Sequence, residues 1–252
     1  MIRHPLRVTG RFCLFLCIIV WCLLDDLFSI ELRGKSRDYR ARALWLQKWS
    51  RRLLSSMNIR HDCIGHPPAN GILASNHLSY LDIPLLAAQS PIIFLAKKEV
   101  RSWPLIGWCT RCAGTLFINR QKKSDVKIMA SQFEPVLHVG VLLGLFLEGT
   151  STDGHQVLPF RSSLLEPAET HHWPATPVRV GYKIDDGSVE NEICYWGDMT
   201  FLPHFLNLLS KSEIRASVTY GAAIPPGLDR KQMALALHSQ VDALNTAASN
   251  NI

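Results

Sequence analysis

The sequence predicts an α/β fold: a single domain with a mostly buried central sheet flanked by helices, and a helical segment ahead of it. Two patterns carry that expectation. From Gly71 onward, short β-branched and aromatic runs alternate with segments of helical period, without repeats or long linkers. Strands spaced by helices form one sheet that helices cover. Ahead of them, residues 1–60 hold 12 Lys/Arg and 4 Asp/Glu, a surplus of +8, whereas residues 61–252 hold 15 and 17, a balance of −2. This divides the chain into residues 1–60, an anchoring and amphipathic segment, and residues 61–252, the domain proper. A length of 252 residues suits one domain plus an appendage.

Within the first segment, Phe12 to Leu24 are 13 consecutive apolar residues, preceded by Arg3, Arg7 and Arg11 and followed by Asp25 and Asp26. As a helix the run is roughly 20 Å long, short of a hydrocarbon core of ~30 Å. A signal peptide shares the basic flank and the length, but two aspartates stand where a small-residue cleavage site belongs. A monotopic or re-entrant anchor, or a short span extended through Leu27 to Ile30, fits better. Arg33 to Arg60 then hold nine Lys/Arg against Asp38 alone, and Trp45, Trp49, Leu53 and Met57 recur every fourth residue. An amphipathic helix packed on the domain has the same period. Beside an apolar anchor, the tryptophans and their flanking cations point instead to an interfacial helix on an anionic leaflet.

In the body, Gly71 to Ser75, Ile92 to Ala96, Thr115 to Ile118, Val141 to Leu147, Val178 to Tyr182, Ile193 to Trp196 and Ile214 to Tyr220 read as strands. Ile83 to Gln89, Ser124 to Leu137 (interrupted at Pro135) and Asp229 to Asn245 read as helices, the last with Met233, Leu237, Val241 and Leu244 as its buried stripe. Val141 to Leu147 is apolar apart from Gly144, as expected of a central strand.

Composition narrows the function classes. With 47% hydrophobic and 19% charged residues, the chain is neither disordered nor of low complexity. A net charge of +6 admits nucleic acid, anionic membrane or an anionic substrate. Nucleic acid drops out once the charge is split, because the surplus belongs to the membrane-seeking segment. The seven cysteines include one C-x-x-C, Cys109 and Cys112, with no second pair at zinc spacing. We therefore expect no metal site and reduced thiols in a cytoplasmic-facing protein.

Polar clusters stand at three strand ends, where open α/β sheets hold their ligands. The first runs from Asn76 to Asp82. A histidine takes a proton from a hydroxyl near neutral pH, and a carboxylate on its other nitrogen fixes the tautomer. On one continuous helix, residues five apart lie about 140° apart, so His77 must sit in the turn before the helix that Pro84 helps to start. The alternative for Asp82 is a capping box, Ser79-x-x-Asp82. The second cluster, Gly114 to Arg120, ends in an arginine able to grip a phosphate or a carboxylate. The third, Phe146 to Ser151, follows the most apolar strand. There Gly149 allows a turn that presents backbone N–H groups and the Thr150 hydroxyl, while Glu148 can orient a basic partner or a hydroxyl.

His77-x-x-x-x-Asp82, Gly114-x-x-Phe117-x-x-Arg120, Phe146-x-Glu148-Gly149-Thr150-Ser151 and Pro174-x-x-Pro177-Val178 resemble, in order and spacing, the four motifs of the glycerolipid (1-acylglycerol-3-phosphate) acyltransferase family. The resemblance runs from about Ala74 to Tyr182. It implies an α/β acyltransferase on the cytoplasmic face of a membrane, the inner membrane if bacterial. Such an enzyme moves a fatty acyl group from acyl-CoA or acyl carrier protein to a lysophospholipid hydroxyl. The resemblance casts His77 as general base oriented by Asp82 and Arg120 as phosphate ligand, with Gly114 and Phe117 shaping its turn. It places Glu148 and Gly149 near the acceptor head group and Pro177 near the acyl side. No cofactor is expected, acyl-CoA or acyl carrier protein being the donor substrate, and because a thioester already carries a good leaving group no covalent enzyme intermediate is needed.

Lys97, Lys98, Arg101, Arg111, Arg120, Lys122, Lys123 and Lys127 face only Glu99 and Asp125 between residues 97 and 127, a landing strip for an anionic donor or lipid. Where the family usually carries Phe-Lys-x-Gly, this chain reads Phe160-Arg161-Ser162-Ser163. Together with Glu148 to Gly154, Leu158 to Leu164 and Gly197-Asp198-Met199, it resembles the branch that acylates lyso-ornithine lipids. The acceptor is thus left open between a phosphate and an amino-acid head group, with Arg161 beside it. Two further readings are a non-catalytic lipid tether on the same fold, and a metal or redox enzyme using Cys109, Cys112, His171 and His172.

Overall fold

The computed structural model describes residues 4–103, 105–119 and 123–249, the side chains of 123–127 and 245–249 excepted. Helix α1 (Pro5–Asp26) continues into a π-helical turn, Leu27–Glu31. The apolar segment is therefore one helix of 27 residues, about 40 Å by rise and long enough to cross a bilayer. Helix α2 (Tyr39–Ser56) doubles back along it, started by Asp38, whose carboxylate accepts the Ala41 N–H at 2.9 Å.

The body follows as β1 (Ile59–Ile64), β2 (Ile72–Ser75), α3 (Asp82–Gln89), β3 (Ile92–Lys97), a 3₁₀ turn at Lys98–Ser102, α4 (Ile106–Cys112), β4 (Leu116–Ile118), α5 (Lys123–His138) and β5 (Leu142–Phe146). A 3₁₀ turn at Ser162–Leu165 leads to α6 (Glu166–His171), β6 (Ala175–Lys183), α7 (Val189–Glu192), α8 (Phe201–Ser210), β7 (Ile214–Tyr220) and α9 (Arg230–Ser249). The strands form one seven-stranded sheet in the order β1-β7-β6-β2-β5-β3-β4, parallel throughout except between β6 and β7.

Side-chain alternation divides the core between the two faces. Ile72, Ile93, Leu143 and Leu145 pack with Phe133 of α5 and Leu237 and Val241 of α9. Leu73, Ile92, Phe94 and Phe146 pack on the other side with Leu85 of α3, Leu54 of α2 and Phe205 of α8. Gly144 interrupts β5 for a packing reason. It pairs with Phe94, and a Cβ there would meet the Phe94 ring at 2.6 Å. The missing side chain lets that ring lie flat against Phe146, centroids 5.8 Å apart and planes 3° apart.

The structure corrects four readings. Ile193–Trp196 is not a strand: it follows α7 as an irregular segment, and its Tyr195 N–H donates to the Leu78 carbonyl at 2.8 Å. Burial of Ile193 and Cys194 beneath that loop gave it a strand's apolar signature. Conversely, β1 carries one buried residue in six and so lacks the alternation that marks a strand. As β1 starts at Ile59, it belongs with the domain. Helix α5 runs on through Pro135. Finally, the α2 face bearing Trp45, Leu53 and Met57 turns inward: Trp45 and Met57 are buried, and Trp45 Nε1 donates to the Cys22 carbonyl at 3.2 Å. Helical period names the residues that share a face, not what that face meets.

Candidate active site

His77 sits in the turn between β2 and α3. Its Nδ1 lies 2.8 Å from Oδ2 of Asp82, which is fully buried. The same oxygen accepts the backbone N–H groups of Leu78 at 2.7 Å and Ser79 at 3.0 Å, and Tyr182 donates its hydroxyl to Oδ1 at 2.7 Å. Asp82 is the first residue of α3, whose N-cap is Leu81, so the capping box at Ser79 does not form; Asp82 accepts from the Leu78 and Ser79 amides of the preceding turn and meets the imidazole. Burial, then the neighbouring Asp82, holds the Tyr182 phenol well above its ordinary range, so it remains a donor. With Nδ1–H directed at a carboxylate, the lone pair of His77 resides on Nε2. The ring stacks on Phe146, centroids 4.0 Å apart, which ties its plane to Phe94 and the gap at Gly144.

The loop is also held from the β5 side. Oε1 of Glu148 accepts the His77 backbone N–H at 2.7 Å, and Oε2 accepts that of Leu158 at 2.8 Å. Burial raises the Glu148 carboxyl above its ordinary range, against the lowering effect of these two bonds. The Thr152 N–H donates to the His77 carbonyl at 2.9 Å. Gly149 turns the chain at φ +81°, a conformation suited to glycine.

A cavity of about 850 Å³ opens beside His77, within the ~300–1,000 Å³ of ordinary ligand sites. Its body is apolar, walled by Phe15 and Ile18 of α1, Leu53 of α2, Met57 just after it, Pro84 of α3, and Phe94. Gly149, Thr150, Ser151 and Arg161 add a polar part to the lining that holds His77, and Lys97, Glu99 and Asn119 also line it. The cavity can therefore take a long apolar chain and bring its polar end to an imidazole.

Of the residues singled out from sequence, His77, Gly149, Thr150 and Arg161 line this cavity, and Asp82 and Glu148 lie behind it as supports. Gly114 and Phe117 do not reach it. Gly114 lies at φ +71° under Arg42, where a Cβ would meet Arg42 Cδ at 3.0 Å, and Phe117 lies 6.0 Å from the Arg101 guanidinium. Pro177 pairs with Ala74 inside the sheet, away from the cavity. Arg120 and Lys122 lie outside the described residues. Tyr182, Phe146 as stacking partner, and Tyr195 were not singled out. Tyr182 terminated an expected strand, and only the neighbouring start of α3 reveals its target. Among the described residues, no three His, Cys, Asp or Glu side chains are grouped to hold a metal ion.

The strand ends set a His–Asp pair at the mouth of an apolar cavity, and the comparisons with known proteins give the family. The Acyltransferase family model matches residues 58–181, and the chain belongs to this family: it is an acyltransferase. It is 35% identical over 188 residues to the lyso-ornithine lipid O-acyltransferase of Pseudomonas aeruginosa, covering 74% of this chain and 72% of that one. It is 38% identical over 104 residues to the 1-acyl-sn-glycerol-3-phosphate acyltransferase of Neisseria meningitidis, covering 41% and 40%. Its fold matches the crystal structure of the 1-acyl-sn-glycerophosphate acyltransferase of Thermotoga maritima, with a TM-score of 0.60, 20% identity, and coverage of 93% and 98%.

Proposed function

We propose that the protein transfers a fatty acyl group from acyl-CoA or acyl carrier protein to the hydroxyl of a membrane lysolipid. The observation that carries this reading is His77, oriented by Asp82 and stacked on Phe146, in the lining of an 850 Å³ apolar cavity. His77 Nε2 takes the acceptor hydroxyl's proton as its oxygen attacks the thioester carbonyl. The carbon–sulfur bond then breaks, and the departing thiolate receives the proton from the imidazolium. A positioned base supplies ~10² to 10⁴ of the rate, and juxtaposing two amphiphiles supplies much of the rest, with no resident cofactor. Exposed Lys97, Lys98, Arg101 and Arg111 suit an anionic donor.

Of the two acceptors, lyso-ornithine lipid is better supported. Its relatives cover more of this chain than the 1-acylglycerol-3-phosphate relatives do, and Arg161 at the cavity wall suits a carboxylate as well as a phosphate. The test is acyl transfer to each acceptor by wild type and by His77→Ala. Equal rates in the two proteins would remove the assigned base, and a preference for lysophosphatidate would remove the acceptor assignment.

The family and the 27-residue apolar helix support a membrane location. The N-terminal end of α1 is fastened to α8 of the domain and its C-terminal end to α2. Arg7 and Arg11 donate to the α8 carbonyls of Ser210 and Leu209 at 2.9 and 3.2 Å, and at the other end Trp49 and Lys48 bond Asp25 at 2.7 and 2.8 Å. A helix held by α8 at one end and by α2 at the other lies against the protein, and we read α1 as embedded in one leaflet; the family resemblance suggests the cytoplasmic face for the domain. Leu6, Val20, Trp21 and Phe28 face outward from it, 90%, 56%, 64% and 60% exposed.

A further inference from the structure

We propose that Trp103, Leu105 and Trp108 form a second membrane-docking lip, which seats on an anionic leaflet beside α1 at the rim of the cavity. The inference rests on the reading of α1 as a membrane anchor. These three large apolar side chains are 46%, 48% and 53% exposed, close together in a stretch where a water-facing surface would carry polar groups. Residues 97–112 hold four cations, Lys97, Lys98, Arg101 and Arg111, against Glu99 alone. Tryptophans ringed by lysine and arginine fit the boundary between head groups and acyl chains, where the indole is half apolar and the cations meet lipid phosphates.

Two observations favour a bilayer over a protein as occupant. The lip adjoins α1, because Cys22 of α1 lies against Cys109 of α4, and the residue before each of them, Trp21 and Trp108, is exposed. It also borders the cavity, since Trp103 and Leu105 line the wall as well as facing out. A lysolipid can thus pass sideways from the leaflet to His77 without entering water. Gly107 packs closely on the Arg101 carbonyl, where a Cβ has no room, and its N–H donates to the Trp103 carbonyl at 2.8 Å.

The test uses the full chain reconstituted in vesicles of phosphatidylcholine and phosphatidylglycerol, with brominated phosphatidylcholine as quencher inside the bilayer and iodide as quencher in the water. Subtracting the emission of Trp21→Phe, Trp103→Phe or Trp108→Phe from that of wild type isolates each indole, and phenylalanine keeps the surface apolar. The expected result is loss of Trp103 and Trp108 emission to bromolipid, shielding of both from iodide, and weaker loss when phosphatidylglycerol is omitted. Quenching by iodide alone overturns the proposal. So does shielding from both quenchers, the result if a second copy covers the lip. Trp21 separates the two readings. If it alone loses emission to bromolipid, the anchor stands and the lip is refuted; if none of the three does, both readings fall.

Discussion

Oε1 of Glu148 accepts the backbone N–H of His77 at 2.7 Å. With Oε2 taken by Leu158 and the side chain buried, this carboxylate holds the main chain of the loop. Glu148→Gln keeps one accepting oxygen and sets an NH₂ against the other N–H. We expect it to cost about 1–3 kcal/mol in chemical denaturation and to lower kcat with little change in acceptor KM. A raised KM at undiminished stability is what a head-group ligand would give instead.

Tyr182 caps the other side of the pair. Tyr182→Phe removes the hydroxyl that satisfies Oδ1 of Asp82 and leaves a buried oxygen without that donor. The expected loss is again about 1–3 kcal/mol, with kcat falling. In a His77→Ala background the same substitution should cost as much stability yet have no further effect on turnover, because its catalytic effect passes through the imidazole. Stopped-flow turnover and denaturant midpoints of the two single variants and the double variant decide this.

Gly114 and Arg42 form a clamp at the base of β4. The Arg42 guanidinium is bonded to Glu31 at 2.6 Å, Asp26 at 3.5 Å and the Cys112 carbonyl at 2.8 Å. It thereby joins the helical hairpin to the strand that leads toward Arg120. Arg42→Ala strands the buried Asp26 and is expected to cost about 3–5 kcal/mol. Gly114→Ala combines a φ of +71° with a Cβ 3.0 Å from Arg42, and costs roughly 1–3 kcal/mol. Thermal unfolding in detergent measures both.

His204 gives stability a pH dependence. Its Nε2–H donates to the Cys194 carbonyl and its Nδ1 accepts from the Tyr80 hydroxyl, each at 3.0 Å. Burial holds its pKa below the ordinary value of 6.5. The folded state therefore resists the proton that the unfolded chain accepts. This contribution is complete above the unfolded value and is lost as pH falls toward the depressed folded one. Between about pH 7.5 and pH 5.5, the wild-type unfolding midpoint should drop further than that of His204→Gln. Parallel midpoints across that window would refute the assignment.

Much of the fold was readable because its signals are local. Apolar strands separated by helical periods mark β2 to β7, and His77 had to precede α3 because five residues on one helix point apart. The site's supports were less readable, since each is a contact across the sheet. Tyr182 lies 100 residues from Asp82, and Glu148 lies 71 residues from the amide it holds. Nor did spacing distinguish Phe117 and Pro177, which share motifs with the site residues, from the residues that line the cavity.

By itself the sequence determined an α/β domain behind a basic, apolar N-terminus and a histidine and an aspartate poised before a helix, because periodicity and turn chemistry act between near neighbours. Only the tertiary structure decided that the tryptophan stripe of α2 packs inward, that Glu148 reaches the backbone N–H groups of His77 and Leu158, and that a missing side chain at Gly144 governs how the His77 ring lies. Those outcomes depend on which distant surfaces meet, and packing sets that for the whole chain at once.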